Sequence, residues 1–234
     1  MFGQVYLLSG GAAQGLVAEL EEEFTAKSGF GIEGIYGAVG AMRDRLLGGE
    51  PCDLVILSQA LIDQLAADGH VVAASATPLG AVKTGVAVKS GEPAPSVDTP
   101  EALKSSLLAA KGVYFPDPQK ATAGIHFMKV LKALGVDQEL ASRLRTYPNG
   151  ATAMREMARS SEPGLIGCTQ VTEIKFTQGV QLTGLLPQQF ELATVYTAAV
   201  CTGAKQPAAA AGLIRLLAGG EVAGIRAGCG FEPA

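Results

Sequence analysis

Four short stretches of small and hydroxyl-bearing residues stand directly ahead of helix-patterned segments. They are Ser9-Gly10-Gly11-Ala12-Ala13, Tyr36-Gly37-Ala38-Val39-Gly40, Lys120-Ala121-Thr122-Ala123-Gly124 and Asn149-Gly150-Ala151-Thr152. The first turn of a helix carries backbone N–H groups without intrahelical partners, and small side chains let a ligand approach them. The Ser9 hydroxyl adds a donor of its own. Repeated four times, the pattern predicts a cage of neutral donors for an oxyanion or a carboxylate. None of the four is a nucleotide phosphate loop: GxxxxGK[ST] does not occur, and SGGAAQG lacks the GxGxxG spacing. The residues singled out on this ground are Ser9, Gly10, Gly11, Ala38, Val39, Thr122, Ala123, Ala151 and Thr152.

These loops must be held by an α/β framework. VYLLS is a short β-rich run, and GLVAELEEEFTAKSG after it has helical periodicity, with Leu16, Leu20 and Phe24 on one stripe. FGIEGIYG, AMRDRLLGG, CDLVILS and QALIDQLAADG continue the alternation, which predicts a parallel sheet covered by helices. In open sheets of this kind, ligands bind beyond the carboxyl ends of the strands.

From Leu79 the pattern changes, and GAVKTGVAVK reads as a strand crossing to a second lobe. A further set follows: a helix capped by Thr99 with Pro100 in its first turn, the strand GVYFPDP, helices in ATAGIHFMKVLKALGV, DQELASRLRTY and TAMREMARS, and the buried strand PGLIGCTQ. QFELATVYTAAVCTG is expected as a long strand returning to the first lobe, with PAAAAGLIRLLAGG as the closing helix. The predicted layout is two-lobed and discontinuous, residues 1–79 with 191–234 forming one lobe and 80–190 the other. Crossings near Leu79–Lys83 and Phe190–Thr194 would serve as the hinge.

A chain of 234 residues that is 48% hydrophobic buries a substantial core, which excludes disorder. A net charge of −4 with no basic run disfavours nucleic acid as a partner. No segment approaches the ~20 apolar residues of a membrane span, and MFGQVYLLSGG has no basic n-region followed by a long apolar stretch. As written, the chain is expected in the cytoplasm; loss of a leader and a replacement Met would give the same start in a periplasmic protein. Cys52, Cys168, Cys201 and Cys229 form no CxxC pair and have no neighbouring His pair, so no structural metal is expected. Their apolar surroundings favour buried thiols, although they could pair in an exported protein.

The order of VYLLSGGAAQGLVAELEEEF, GIYGAVGAMRDRLLGGEPCDLVILS, GAVKTGVAVKSGEPAP, FPDPQKATAGIHF and GLIGCTQVTEI resembles the type II periplasmic solute-binding proteins, in the branch of the molybdate-binding proteins. The resemblance implies a periplasmic-binding-protein-like fold and a small anion in the cleft between the lobes. It also implies a monomer and, as a further partner, the membrane component of an ABC transporter. Molybdate binders use two hydroxyls from first-lobe loops, second-lobe backbone N–H groups and a late tyrosine. Ser9 matches the first hydroxyl, Ala38 or Val39 stands at the second, and Thr169 or Gln170 stands at the tyrosine position. Lys83 and Lys120 can bring full positive charge, and Gln170 a planar amide, which together favour an organic di- or tricarboxylate over a metal oxyanion.

The same branch contains aconitate isomerase-like enzymes, which need no cofactor but do need groups that remove and return a proton. Lys83, His126 and Glu173 are the candidates the resemblance brings near the site. Each has a plainer reading: a surface cation, a core or rim histidine between Ile125 and Phe127, and a helix-start charge. No Ser-His-Asp order or nucleophile elbow points to hydrolysis.

Overall fold

The computed structural model describes residues 3–234. β1 (Gly3–Gly10) leads through a 3-10 turn (Gly11–Ala13) into α1 (Gln14–Ser28), followed by β2 (Phe30–Gly37), α2 (Val39–Leu47), β3 (Leu54–Ser58) and α3 (Gln59–Ala67). β4 (Thr77–Lys89), α4 (Pro100–Ala109), β5 (Gly112–Pro116), α5 (Thr122–Ala133) and α6 (Asp137–Leu140) come next. β6 (Leu144–Tyr147), α7 (Gly150–Arg159), β7 (Leu165–Gln170), α8 (Val171–Phe176) and β8 (Val180–Leu185) then precede β9 (Ala193–Val200), α9 (Pro207–Ala218) and α10 (Ala223–Cys229).

The chain divides into two compact units, Met1–Val82 with Thr194–Ala234 and Lys83–Ala193. Unit one holds β2-β1-β3-β9, parallel through β1, with β9 antiparallel to β3. Its core gathers Val5, Leu7, Leu16, Leu20, Phe24 and Ile56, among others. The helical stripe Leu16, Leu20 and Phe24 is the buried face of α1. Asp53, also buried, accepts the N–H groups of Tyr6 (2.9 Å), Lys205 (2.6 Å) and Gln206 (2.8 Å), fastening the start of α9 to β1 and β3. Three donors satisfy a carboxylate that would otherwise be costly to bury.

In unit two β5 runs parallel to β6 and β7, β7 antiparallel to β4, and β8 pairs with the free edge of β4. Phe115 and Phe127 meet edge to face at 5.3 Å and seat α5 on the sheet.

DQELASRLRTY is not one helix: only Asp137–Leu140 is α-helical, and Leu144–Tyr147 is strand β6. The edge of β5 offers a ladder from Val113↔Leu144 to Pro116↔Tyr147, and that pairing overrides weak local helix propensity. The long return strand is confined to Ala193–Val200, and Gln188–Phe190 forms a 3-10 turn before it. β8 and the glycine-bearing α10 were not anticipated. Among the described residues, no single helix is long and apolar enough to cross a membrane.

Candidate functional site

In unit one the register Ser9↔Tyr36, Gly10↔Gly37 and Ser9↔Ile56 brings the carboxyl ends of β1, β2 and β3 level. The three loops that leave them start helical segments at Gly10, Ala38 and Ser58, and none of these residues makes a side-chain cap. A good capping side chain stabilises a helix by about 1 kcal/mol, and glycine and alanine here leave the first-turn N–H groups without a side-chain cap. Ser9 is fully buried and its hydroxyl donates to the Gly10 carbonyl at 2.9 Å. A Cβ on Gly10 would lie 2.8 Å from Val39 Cγ1 and 3.0 Å from Tyr196 Cε1, so the first loop, the second loop and β9 converge on this glycine. Gly11 and Ala38 are buried beside it.

Tyr196 was passed over in the sequence. Antiparallel pairing sets it opposite Ser58, and sets Thr197 opposite Leu57, where the Thr197 hydroxyl donates to Gln59 Oε1 at 2.5 Å. Its signal was a tyrosine within a largely buried strand, ATVYTAAV, a position where the phenol hydroxyl needs a polar neighbour.

In unit two the β5–α5 and β6–α7 loops look alike in sequence but behave differently. α5 begins after Ala121 with no side-chain cap. The Asp117 carboxylate turns the loop by accepting the N–H groups of Gln119 (2.7 Å) and Lys120 (3.1 Å). The Lys120 side chain is exposed, Thr122 is half-buried and Ala123 is buried. An open hollow of about 470 Å³ lies at these strand ends, lined by Asp117, Pro118, Gln119, Thr146, Tyr147 and Pro148.

The start of α7 is satisfied from within. Asn149 Oδ1 accepts the Thr152 N–H at 2.8 Å, and the buried Glu173 carboxylate accepts backbone hydrogen bonds from Gly150 and Ala151. The expectation that Ala151 and Thr152 present free N–H groups to a ligand is therefore not met in this structure: the chain's own oxygens hold them. Burial pushes the Glu173 carboxyl above its ordinary value, opposed by the Thr169 hydroxyl and by the N–H groups of Ala151, Gly150 and Gln170.

Thr169 and Gln170 are buried at the end of β7, with Gln170 opposite Thr84 in the ladder with β4. The Thr84 and Thr172 hydroxyls are buried without a hydrogen-bond partner among the described residues. Thr84 was missed in favour of its neighbour Lys83; the hydroxyl beside the apolar run GVAV was the signal available.

Each proton-transfer candidate is engaged. Lys83 Nζ lies 3.3 Å from Glu191 Oε2, with about a quarter of its side chain exposed (24%). His126 Nε2 is 2.7 Å from the Phe190 carbonyl, an acceptor only, so Nε2 carries the proton. Glu173 holds the α7 start. Among the described residues, no group of three or more His, Cys, Asp or Glu side chains is placed to hold a metal ion.

Several known proteins share this organisation. A chain from Pseudomonas sp named aconitate isomerase is 27% identical over 238 residues, spanning 97% of this chain and 87% of its own. The Azotobacter vinelandii periplasmic molybdate-binding protein superposes with a TM-score of 0.80 at 16% identity, covering 98% of this chain and 99% of its own. The sulfate-binding protein SubI from Mycobacterium tuberculosis H37Rv superposes with a TM-score of 0.75 at 18% identity, over 99% and 87%. At such identities the two structures show a shared periplasmic-binding-protein fold. The profile of one family, the bacterial extracellular solute-binding proteins, matches residues 5–232. With nearly the whole chain matched, the protein belongs to the bacterial extracellular solute-binding protein family.

Proposed function

We propose that the protein binds one small organic anion, a di- or tricarboxylate, through the strand-to-helix loops of both units, which close over it about their two chain crossings. The observations that carry this reading are the helix starts without side-chain caps after β1, β2 and β3 in unit one, where Ser9 is fully buried, and after β5 in unit two. Such starts favour an anion through N–H donors that add no charge of their own. Ser9, Gly10, Gly11, Thr122 and Ala123 are the proposed backbone and hydroxyl donors. Ala38 and Val39 offer no side-chain donor where a second hydroxyl would grip a tetrahedral oxyanion. Lys83 and Lys120 supply charge and Gln170 a planar amide that suit carboxylates, and the Thr169 hydroxyl would join them on turning from Glu173. Family membership supports a small ligand and, as partner, the membrane component of an ABC transporter; a monomeric state and a periplasmic location are part of the proposal.

A thermal-shift screen of carboxylates and oxyanions tests the ligand class, and small-angle scattering of each stabilising ligand tests closure. Stabilisation by di- or tricarboxylates with compaction is the expected result. Stabilisation by molybdate or sulfate alone would replace the proposed ligand, and stabilisation without compaction would remove closure.

A second reading, a cofactor-independent isomerase of a small polycarboxylate, is favoured by the relative named aconitate isomerase. It needs a base that takes an allylic proton and returns it. Glu173, His126 and Lys83 would each have to leave a present partner to serve. Proton NMR of each bound carboxylate separates the readings: a migrating double bond means isomerase, an unchanged spectrum means binder.

A further inference from the structure

We infer that Cys52 and Cys201 form an oxidation site that closes into an intramolecular disulfide, joining the two separate chain segments of unit one. The Cys201 thiol donates to Cys52 Sγ at 3.3 Å, and both residues are buried. Cys52 stands just before β3 and Cys201 just after β9, at the end where Leu54 pairs with Val200. The Cys201 N–H donates to the Asp53 carbonyl at 2.9 Å, and Cys52 Sγ also contacts the Leu54 carbonyl at 3.0 Å. Backbone pairing therefore holds the two thiols in register. The sulfurs need to approach only from 3.3 Å to the bond length of about 2.0 Å. Cys168, by contrast, lies in the core of unit two, where burial pushes its thiol far up and leaves it inert.

The oxidant required is a small-molecule disulfide of the glutathione class. The Cys52 thiolate attacks one sulfur of that disulfide and expels the first small thiol. The Cys201 thiolate then attacks the Cys52 sulfur of the mixed disulfide and expels the second. The small disulfide is reduced to two thiols, which carry away the two cysteine protons, and one S–S bond forms in the protein. Cys52 reacts first because the S–H donated by Cys201 favours a thiolate at Cys52, lowering its pKa and raising that of Cys201. The bond would span 149 positions in sequence, with the whole of unit two inside the loop. A loop of that length removes much chain entropy from the unfolded state.

The test is incubation of the full chain with glutathione disulfide under native conditions, followed by intact mass and a non-reducing peptide map. A Cys52–Cys201 linked peptide, a mass loss of two hydrogen atoms and a melting temperature raised by about 5–10 °C are expected. Cys52→Ser and Cys201→Ser should each abolish the linked peptide; if either fails to fold, the map of the parent chain decides alone. Glutathione adducts that never resolve, linkage through other cysteines, or a linked peptide without a rise in melting temperature would overturn the inference.

Discussion

The Thr169 hydroxyl donates to the Glu173 carboxyl at 2.5 Å, and the same buried carboxyl accepts the backbone N–H groups of Gly150 and Ala151 in the first turn of α7. Unit two thus occupies one helix start with its own carboxyl group and leaves another, that of α5, without a side-chain cap.

Gly150 makes the arrangement possible, because a Cβ there would overlap Thr169 Oγ1 and Glu173 Oε2. Gly150→Ala should cost about 2 kcal/mol or more in urea unfolding, through overpacking and a displaced carboxylate. Gly203→Ala, where a Cβ meets nothing within 4 Å, should stay within about 0.5 kcal/mol of the parent chain.

Glu173 sets a pH dependence. Its carboxyl is raised in the folded chain by burial, so the folded state holds this proton more tightly than the unfolded one. The resulting stability is fully present below the unfolded carboxyl pKa and is lost as pH rises through the folded value. Glu173→Gln cannot ionise and escapes that loss. Its melting temperature relative to the parent should therefore improve as pH rises above the ordinary carboxyl range, as differential scanning fluorimetry would read.

Lys83 is paired with Glu191 at 3.3 Å, which offsets its charge. Lys83→Met should weaken a carboxylate ligand about tenfold, and Glu191→Gln should tighten it about threefold by removing a negative charge beside the cation. Isothermal titration of both variants checks the opposite signs; equal affinities would remove Lys83 from the site.

The Ser9 hydroxyl presently donates to its neighbour's carbonyl, a local bond worth little to stability. Ser9→Ala should leave unfolding within about 1 kcal/mol of the parent, yet weaken the anion by about tenfold or more, because a bond to a charged group is stronger.

Much of the fold was legible because the apolar stripe of α1 and the buried runs of β1 and β3 obey simple periods, and their loops carry glycine and alanine where caps are expected. β6 was not legible: its four residues become a strand only because β5 offers an edge. Nor was the difference between the starts of α5 and α7, since Glu173 reaches Gly150 from 23 positions away along the chain, a relation no local pattern encodes. The places of Tyr196 and Thr84 follow likewise from register with distant strands, Tyr196 opposite Ser58 of β3 and Thr84 opposite Gln170 of β7.

The most direct measurement is isothermal titration calorimetry of the intact protein with a tricarboxylate such as citrate or aconitate and, in parallel, with molybdate. Saturable one-to-one binding of a carboxylate, with molybdate at least tenfold weaker, is the predicted result. Tight molybdate binding with no carboxylate heat would contradict an organic-anion site.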